Sequence, residues 1–499
     1  MKIISIERSS RFALIGIAAV FIISRILYKL VGIQFQGDTY LGYWQFIDPV
    51  LLQKDLWRSV FYLHSQPPLM NLFTGIILQI FPVNHDLAFY ILYFIGGLIL
   101  AVSIYFLGLC LRFPSWFSTL LSVWFMVSPS TILYEHWLFY TYLLTVILSL
   151  AGVLLYQFIS TGKSQLGLIF FSLLACVTLT WSLFHIVWLF GIAALLLIFG
   201  RDRKKILLTS LLPLILVTGW YLKNLVVVGE FTASSWAGMN ISKIATFRTP
   251  QKERRQMVKS GELSKFALLP PFRNPQVYLK LLPKTPLTGI PVLDETETSF
   301  GRRNQHHLVY VEASRYYLHD ALHMIRSEPG YYARSIVQAI YIYLHSSSDF
   351  DLTSGNRNQI AILDTWWNRL FYGQWQSNET SADRGARMSA ENIGWSIFLG
   401  FFAVMIGSIQ FLWKRRDQLG EPENILVLFM IYNILFVSIV GNLMDIGENN
   451  RFRYVIDPFL MILFVFFLRN AISAIAQSKS TDPSQLVNTP INDLQGTSS

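Results

Sequence analysis

Charged residues are scarce in this chain. Asp, Glu, Lys and Arg together make up 14% of its 499 residues, whereas hydrophobic residues make up 53%. A soluble protein of this length needs far more charge on its surface, so the composition predicts several membrane spans, with membrane lipids as partners. The net charge of +10 comes mainly from short basic clusters between apolar segments, which is typical of cytoplasmic loops. We therefore predict no nucleic-acid binding.

Cysteine is almost absent as well. Cys110 and Cys176 are the only two, and both lie in or beside apolar segments. The sequence therefore offers neither a disulfide framework nor a CxxC metal site. The pair Glu135-His136 does not form an HExxH arrangement, and no other residues have metal-ligand spacing. We predict no cofactor and no metal ligand, with a divalent metal ion as an open alternative.

Long apolar segments are abundant by contrast, and a bilayer crossing takes about 20 residues. Segment 68–81 is short and begins with two prolines. If it does not cross, Arg112, Lys163, 201–205 and 414–416 all fall on the cytoplasmic side, as the positive-inside rule favours. We predict an all-α polytopic membrane protein of about ten spans with both termini inside. If 68–81 crosses, the count is eleven. The segments are 12–31, 68–81, 87–109, 115–132, 137–158, 166–182, 183–200, 206–226, 394–413, 424–444 and 454–473.

The spacing of the segments divides the chain into four parts. Residues 1–226 form an N-terminal membrane module whose first outer loop is 32–67. Residues 227–393 form a mostly helical extracytoplasmic domain, and residues 394–476 form the C-terminal spans. Residues 477–499 are rich in Ser, Thr, Asn, Asp and Pro, which is typical of a disordered tail, here on the cytoplasmic side.

Two stretches outside the spans have helical patterns. In 49–63, apolar residues alternate with three charged ones, which predicts an amphipathic helix lying in the outer interface of the bilayer. The stretch 311–344 has helical periodicity on both sides of a break at Pro329-Gly330. We therefore predict helices in both places.

The predicted topology places several polar side chains on the outer face, where they can converge. Asp38 follows Gly37 after the first span, and Gly-Asp is ordinary turn material. A single carboxylate at the membrane surface also suits a general base that deprotonates an acceptor hydroxyl. Glu135 and His136 lie between two spans, where an aromatic belt is the alternative. We interpret Asp38, Glu135 and His136 as candidate catalytic residues.

Two loops contain candidates for binding phosphate. His64 and Gln66 precede a Pro-Pro pair that starts a short helix, whose N-terminus could hold a phosphate or could be a plain helix start. Arg451 and Arg453 lie outside the last span, against the positive-inside tendency. They could bind phosphate through their guanidinium groups or extend to lipid headgroups.

Two further residues belong to the predicted site. Glu448 lies in the same turn as the two arginines. Asn224 lies at the outer end of the span that enters the large loop, and its amide could hydrogen-bond a sugar hydroxyl. A structural role is an equal alternative there, because polar and aromatic residues are common at membrane interfaces.

Taken together, these motifs resemble the GT-C superfamily of polytopic glycosyltransferases. They resemble especially the bacterial enzymes similar to dolichyl-phosphate-mannose-protein mannosyltransferases and their aminoarabinose-transferase relatives. The resemblance covers the first 230 residues and residues 440–460. The matching pieces are Gly37-Asp38, Gln66-Pro67-Pro68-Leu69, the Glu135 loop, Trp220 to Asn224 with Gly229, and Glu448 to Arg453.

The resemblance implies a polyprenyl-phosphate-linked sugar as donor and a glycan, lipid or protein as acceptor. It also implies inverting transfer on the extracytoplasmic face, in a bacterial plasma membrane, with Asp38 as the general base. Relatives often have Lys where this chain has Gln66, so phosphate binding would pass to His64, Arg451 or Arg453.

Two other functional classes share some of these features. A transporter or flippase for lipid-linked sugars usually has ionisable residues or broken helices at the bilayer midplane. Here the predicted span centres hold almost no charge, which favours an enzyme working at the interface. A glycan polymerase or ligase would also have a large outer loop and outer arginines.

Overall fold

A computed structural model describes residues 8–283, 287–376 and 388–480. Within these ranges the chain is helical, and extended pairing is limited to the isolated bridges Gln36–Trp137 and Glu297–Arg303. The predicted all-α class is therefore confirmed. Of the predicted tail 477–499, only the first four residues are described, and they belong to the last helix.

The N-terminal module contains the following helices in the described residues: α1 (Arg8–Leu30), α2 (Pro49–Lys54), α3 (Leu56–Tyr62), α4 (Leu69–Ile80), α5 (His85–Cys110), α6 (Ser115–Met126), α7 (Pro129–Glu135), α8 (Tyr140–Thr161), α9 (Ser164–Thr178), α10 (Ile186–Phe199) and α11 (Arg203–Val228). The predicted outer helix over 49–63 is in fact two helices, α2 and α3. They are separated at Asp55, whose φ of −141° and ψ of 48° are not helical. Aspartate favours such a helix end because its side chain competes for backbone hydrogen bonds.

The large loop and the C-terminal part contain the remaining helices: α12 (Ala237–Ile244), α13 (Gln251–Ser260), α14 (Pro275–Leu279), α15 (Pro291–Asp294), α16 (Val309–Ser327), α17 (Pro329–Tyr343), α18 (Ser354–Gln359), α19 (Ala361–Trp367), α20 (Trp395–Arg415), α21 (Pro422–Met444), α22 (Asn449–Tyr454) and α23 (Asp457–Ser480). Helices α16 and α17 confirm the predicted periodicity and the break at Pro329. Proline fits the first turn of α17, where its missing N–H has no intrahelical partner in any case.

Seven helices in the described ranges are long and apolar enough to cross a bilayer: α1, α5, α8, α11, α20, α21 and α23. Helices α6 and α7 add an eighth crossing if they form one span that bends by 60°. The shorter apolar helices α4, α9 and α10 fall on the other predicted segments. The protein is thus a polytopic membrane protein with seven or eight spans of sufficient length, and a total of ten or eleven stays a prediction.

Helix α4 contacts the loop that follows α1 near both of its ends. In its first turn, Asn71 accepts a hydrogen bond from the N–H of Ile47 at 2.8 Å. Just beyond its last turn, His85 Nε2 is 3.0 Å from the hydroxyl of Tyr40. Both contacts are with the loop that follows α1, so α4 packs along that loop. That the segment does not cross the bilayer stays a prediction.

The predicted cytoplasmic turns meet at the other end of the bundle. Arg112 follows α5 and pairs with Glu423 at the start of α21, with 2.7 Å between nitrogen and oxygen. Arg201 follows α10 and pairs with Glu421, which precedes the same helix. Because α5, α10 and α21 all have termini here, basic turns that are distant in sequence share one end.

Part of the large loop packs against the side of the bundle. Trp367 and Phe371 contact the ring of Trp124 on α6, each with 5.6 Å between ring centroids. The loop domain therefore does not lie wholly above the membrane module. Its α18–α19 region lies beside the bent α6–α7 pair.

Gly97 on α5 is expected to tolerate no side chain. A Cβ atom there would lie 2.6 Å from the Tyr142 hydroxyl and 2.8 Å from Glu135 Oε2. Because both atoms belong to a buried network, we expect Gly97→Ala to lower the free energy of unfolding by about 1–3 kcal/mol. Thermal unfolding in detergent measures this loss. The control is Gly219→Ala, where a Cβ atom meets nothing within 4 Å. Equal melting temperatures for the two variants would contradict the prediction.

Candidate active-site cavity

The loop after α1 is joined to the segment after α7 by two backbone hydrogen bonds. The N–H of Gln36 donates to the carbonyl of His136 at 2.8 Å, and the N–H of Leu138 donates to the carbonyl of Gln36 at 3.2 Å. These bonds place Gly37 and Asp38 beside Trp137. Two predicted site loops, separated by about a hundred residues, therefore meet.

Asp38 lies in a 3-10 turn, Gly37–Leu41, directly after this junction. A Cβ atom on Gly37 would lie 2.5 Å from a carboxylate oxygen of Asp86, so a larger residue there would displace that exposed side chain. The Asp38 side chain is exposed and lines a cavity of about 610 Å³. Within the described ranges its carboxylate forms no ion pair or hydrogen bond. Such a carboxylate is free to take a proton from a bound molecule.

The cavity has walls from three parts of the chain. The first loop supplies Gln36 and Tyr43, the segment after α7 supplies Trp137, and the large loop supplies Phe300 and Arg302. The remaining lining residues are Thr39, Leu41, Gly42 and Leu352. Tyr43, Trp137 and Arg302 line the cavity but are not among the site residues predicted from the sequence. The cavity combines one carboxylate, one guanidinium and aromatic faces, which suits a polar ligand with ring-shaped parts.

Glu135 lies away from the cavity, in a buried ion pair with Arg25. The Arg25 Nε donates to Glu135 Oε1 at 3.0 Å, and Arg25 Nη2 also donates to the carboxylate. The Tyr142 hydroxyl donates to Glu135 Oε2 at 2.8 Å. The side chains of Arg25 and Glu135 are 2% and 1% exposed, so no substrate group can reach this carboxylate in the present conformation.

His136 is also buried. Its Nδ1 donates to the carbonyl of Ile132 at 2.9 Å, which closes the last turn of α7. The backbone of His136 contacts the first loop through Gln36, whereas the residue after it, Trp137, lines the cavity. His136 therefore lies behind the cavity wall, next to Trp137, and does not itself line the cavity.

His64 joins the first loop to the large loop. Its Nε2 donates to the carbonyl of His306 at 2.9 Å, so its Nδ1 accepts from the Ser235 hydroxyl at 2.7 Å. His306 in turn bonds to Ser65 at 2.5 Å and to the carbonyl of Phe46 at 2.8 Å. Both imidazoles are fully enclosed. Burial lowers the pKa of His64 to about 3 and that of His306 to about 4, so both are neutral at pH 7.

This histidine pair predicts a loss of stability in mild acid. An unfolded chain takes up protons on histidine near pH 6.5, whereas the folded pKa values are lowered by burial. The two neutral histidines therefore make their full contribution to the free energy of unfolding above pH 6.5. As the pH drops toward 4, the free energy of unfolding falls by about 1.4 kcal/mol per histidine for each pH unit. Melting temperatures between pH 7.5 and 4.5 test this. A His64→Gln variant should show a shallower fall, and an identical slope would contradict the explanation.

Gln66 and Asn224 lie in tightly packed places. Gln66 is 6% exposed and borders a void of about 10 Å³, which is roughly the space of one water molecule. Asn224 is fully buried. Its Oδ1 accepts from Lys223 at 2.5 Å and its Nδ2 donates to the carbonyl of Thr232 at 2.6 Å. These bonds fix the chain as it leaves α11.

Arg451 is enclosed by aromatic rings. Its Nε and Nη2 donate to Glu448 at 3.0 and 2.6 Å, and its Nη1 donates to Thr141 at 3.0 Å. Its guanidinium carbon is 5.2–5.7 Å from five ring centroids, a distance that allows cation–π attraction. The rings are those of Phe139, Tyr140, Trp181, Phe350 and Phe452. The Arg451 side chain is only 2% exposed, so a ligand in the cavity cannot reach its guanidinium in the present conformation.

Arg453 has a similar structural environment. Its Nε donates to Asp457 at 2.9 Å, its Nη2 donates to Ser347 at 2.8 Å, and its Nη1 donates to the carbonyl of Tyr343. These contacts tie α22 to α23 and to the end of α17. Neither arginine is available for a phosphate without rearrangement.

A short stretch of the large loop, residues 352–358, connects the Asp38 cavity to an apolar groove. The groove has a volume of about 800 Å³ and is formed by α1, Val127 and residues 358–366. Its exposed side chains include Ile23, Leu27 and Trp366. The large loop borders both spaces, since Leu352 lines the cavity. Because α1 is long and apolar enough to cross a bilayer, the groove lies on a helix that lipid chains can contact.

No group of three or more His, Cys, Asp or Glu side chains within the described ranges could hold a metal ion. The divalent metal ion thus stays the open alternative that the sequence left.

The architecture and the cavity together define an all-α polytopic membrane protein with a carboxylate-bearing pocket at one end of its bundle. No protein-family model matches the chain, and no curated protein does. Two solved structures, both of the oligosaccharyltransferase of the archaeon Archaeoglobus fulgidus, are weakly similar.

The first is AglB in complex with an inhibitory peptide and a dolichol-phosphate, at 12% identity and a TM-score of 0.36. It matches over 96% of this chain and 53% of that chain. The second is the apo form, at 11% identity, 95% and 53% coverage and the same TM-score. This chain spans about half the length of these proteins. Similarity at this level leaves the function to be argued from the site.

Proposed function

We propose that this protein is a membrane glycosyltransferase. It moves a sugar from a polyprenyl-phosphate-linked donor to a hydroxyl or amine of a glycan, lipid or protein acceptor. The observation that carries this proposal is the Asp38 carboxylate, which lies in an open cavity and has no partner among the residues that the structure describes. The GT-C resemblance of the sequence implies the same residue at the catalytic centre.

Asp38 acts as the general base in the proposed reaction. Its carboxylate takes the proton from the acceptor hydroxyl while the acceptor oxygen attacks the anomeric carbon. The bond between that carbon and the phosphate oxygen breaks, and its electron pair leaves with the phosphate. The products are an inverted glycoside, a polyprenyl phosphate and a protonated Asp38, which then releases its proton to water. General base catalysis of this kind contributes about 10²–10⁴-fold.

The apolar groove supports the assignment of a lipid-linked donor. A prenyl chain lying along α1 would leave the bilayer beside residues 358–366. Its phosphate and sugar would then be close to Leu352 and the cavity. Burial of apolar chain in such a groove is favourable by about 0.8 kcal/mol per methylene. In this proposal the prenyl chain of the donor supplies the binding energy, and its phosphate and sugar set its position in the cavity.

The other predicted site residues act around the cavity in this proposal. Glu135 and His136 support the wall that carries Trp137, rather than contacting the acceptor. Helix α22 is held beside Phe350 by Glu448, Arg451 and Arg453. The ring of Phe350 in turn contacts Trp137, with 5.3 Å between ring centroids. His64 and Asn224 bond to residues of the large loop, and Gln66 packs between the first loop and the start of α8. All of these roles are structural.

We place the active site on the extracytoplasmic face, as in a bacterial plasma membrane. The basic turns at the far end of the bundle support this orientation, because positive loops favour the cytoplasmic side. In this orientation the membrane spans separate the active site from the basic turns.

The test is the fate of the donor in a strain that lacks this chain. A missing transferase leaves intact lipid-linked sugar in the outer leaflet, where a membrane-impermeant periodate reagent oxidises it in whole cells. A missing transporter or flippase leaves the same lipid protected in the inner leaflet. Mass spectrometry of extracted lipids distinguishes the two results. Protected donor, or no accumulation, would overturn the proposal.

A further inference from the structure

A tight hairpin of the large loop forms one wall of the cavity. Residues Glu297 and Arg303 form an antiparallel bridge. The N–H of Thr298 donates to the carbonyl of Arg302 at 2.7 Å, and Gly301 adopts a φ of +66° that favours glycine. The hairpin therefore has a fixed shape, with Phe300 and Arg302 near its tip.

The first loop holds this hairpin through Asp48, whose side chain is buried. Asp48 Oδ2 accepts from both the N–H and the hydroxyl of Ser299, each at 2.6 Å. Its Oδ1 accepts from the N–H of Val50 at the start of α2. Charge-assisted hydrogen bonds of this kind are short and strong. The hairpin is thus fastened to the same loop that carries Asp38.

Arg302 supplies the positive charge among the residues that line the cavity. Its guanidinium is exposed and has no ion pair or hydrogen bond with any residue in the described ranges. The neighbouring Arg303 differs, because its Nη1 donates to the carbonyl of Phe272 at 3.3 Å. By contrast, the phosphate ligands predicted from the sequence are buried and bonded to other residues; they are His64, Arg451 and Arg453.

We propose that Arg302 binds the phosphate of the lipid-linked donor. This inference rests on the proposed function. When the bond to the sugar breaks, the leaving phosphate changes from a diester with one negative charge to a monoester with up to two. A guanidinium facing it therefore attracts the transition state more strongly than the ground state. Its planar fork also suits two phosphate oxygens at once.

Binding of farnesyl phosphate to the full chain in nanodiscs tests this assignment. Farnesyl phosphate has the prenyl chain and the phosphate of the proposed product, and farnesol has the chain alone. We expect Arg302→Gln to weaken farnesyl phosphate binding by about ten- to hundredfold and to leave farnesol binding unchanged. Arg303→Gln is the matched control and should bind like the wild type.

Two competitors separate the possible sources of the phosphate. Inorganic phosphate and phosphatidylglycerol should each compete poorly with farnesyl phosphate. Equal competition by either would overturn the assignment to a prenyl phosphate. Unchanged farnesyl phosphate affinity in Arg302→Gln, or an equal loss in Arg303→Gln, would overturn the role of Arg302 and leave Asp38-dependent transfer intact. If the wild type binds farnesyl phosphate no better than farnesol, the proposed donor class itself fails.

Discussion

Asp38→Asn is expected to reduce sugar transfer by about a thousandfold without changing the stability of the fold. The amide keeps the size of the carboxylate but cannot accept the acceptor's proton, and general base catalysis is worth about 10²–10⁴-fold. Stability should hold because Asp38 is exposed and has no partner among the described residues. The initial rate of transfer from a labelled prenyl-phosphate sugar and the melting temperature are measured on the same preparation.

Asp86→Asn is the matched control. The carboxylate of Asp86 lies beside Gly37, the residue that precedes Asp38 in the sequence. The Asp86 side chain is 67% exposed. It does not line the cavity, so its loss removes a similar negative charge without removing the proposed base. Near-normal transfer by Asp38→Asn would contradict the role of Asp38 as general base. An equal loss in both variants would mean that surface charge, and not proton transfer, is what the reaction needs.

The helices could be predicted from the sequence because their causes are local. Apolar runs of about 20 residues and the positions of proline act over one or a few turns. Helix α4 therefore starts after Pro68, and α17 starts at Pro329, as predicted. The break at Asp55 was missed because the amphipathic pattern of 49–63 continues across it.

The partners of the candidate side chains could not be predicted in the same way. His64 bonds to Ser235 and His306, which are 171 and 242 residues away. Arg451 bonds to Thr141 across 310 residues. A buried arginine, glutamate or histidine in an outer loop has the same local sequence as one that binds a substrate. Only the long-range fold separates the two.

Arg302 was missed for the same reason. The stretch Gly301-Arg302-Arg303 reads as solvated charge, and nothing local distinguishes its two arginines. The hairpin bridge directs one of them to the cavity, and the contact between Asp48 and Ser299, 251 residues apart, places the hairpin there. The glycine before the pair is a turn signal, but a turn does not reveal which space it faces.

Glu135→Gln is expected to destabilise the protein strongly. The substitution leaves the buried guanidinium of Arg25 without its counter-charge, and breaking one partner of a buried ion pair costs about 3–5 kcal/mol. Arg25 would keep its bonds to Ser24 at 3.0 Å and to the carbonyl of Met126 at 2.9 Å, but these are neutral acceptors. Thermal unfolding in detergent and the yield of folded protein measure the loss.

The double variant Arg25→Met with Glu135→Gln distinguishes the structural role of Glu135 from a catalytic one. It removes both charges, and the glutamine oxygen can still accept from the Tyr142 hydroxyl. We expect it to be more stable than Glu135→Gln alone, since the two residues are coupled through one contact. We also expect transfer to recover with stability, because Glu135 lies outside the cavity. If Glu135→Gln instead kept the wild-type melting temperature and lost transfer, and the double variant restored none of it, then Glu135 would have to reach the substrate in a conformation that opens the pair with Arg25.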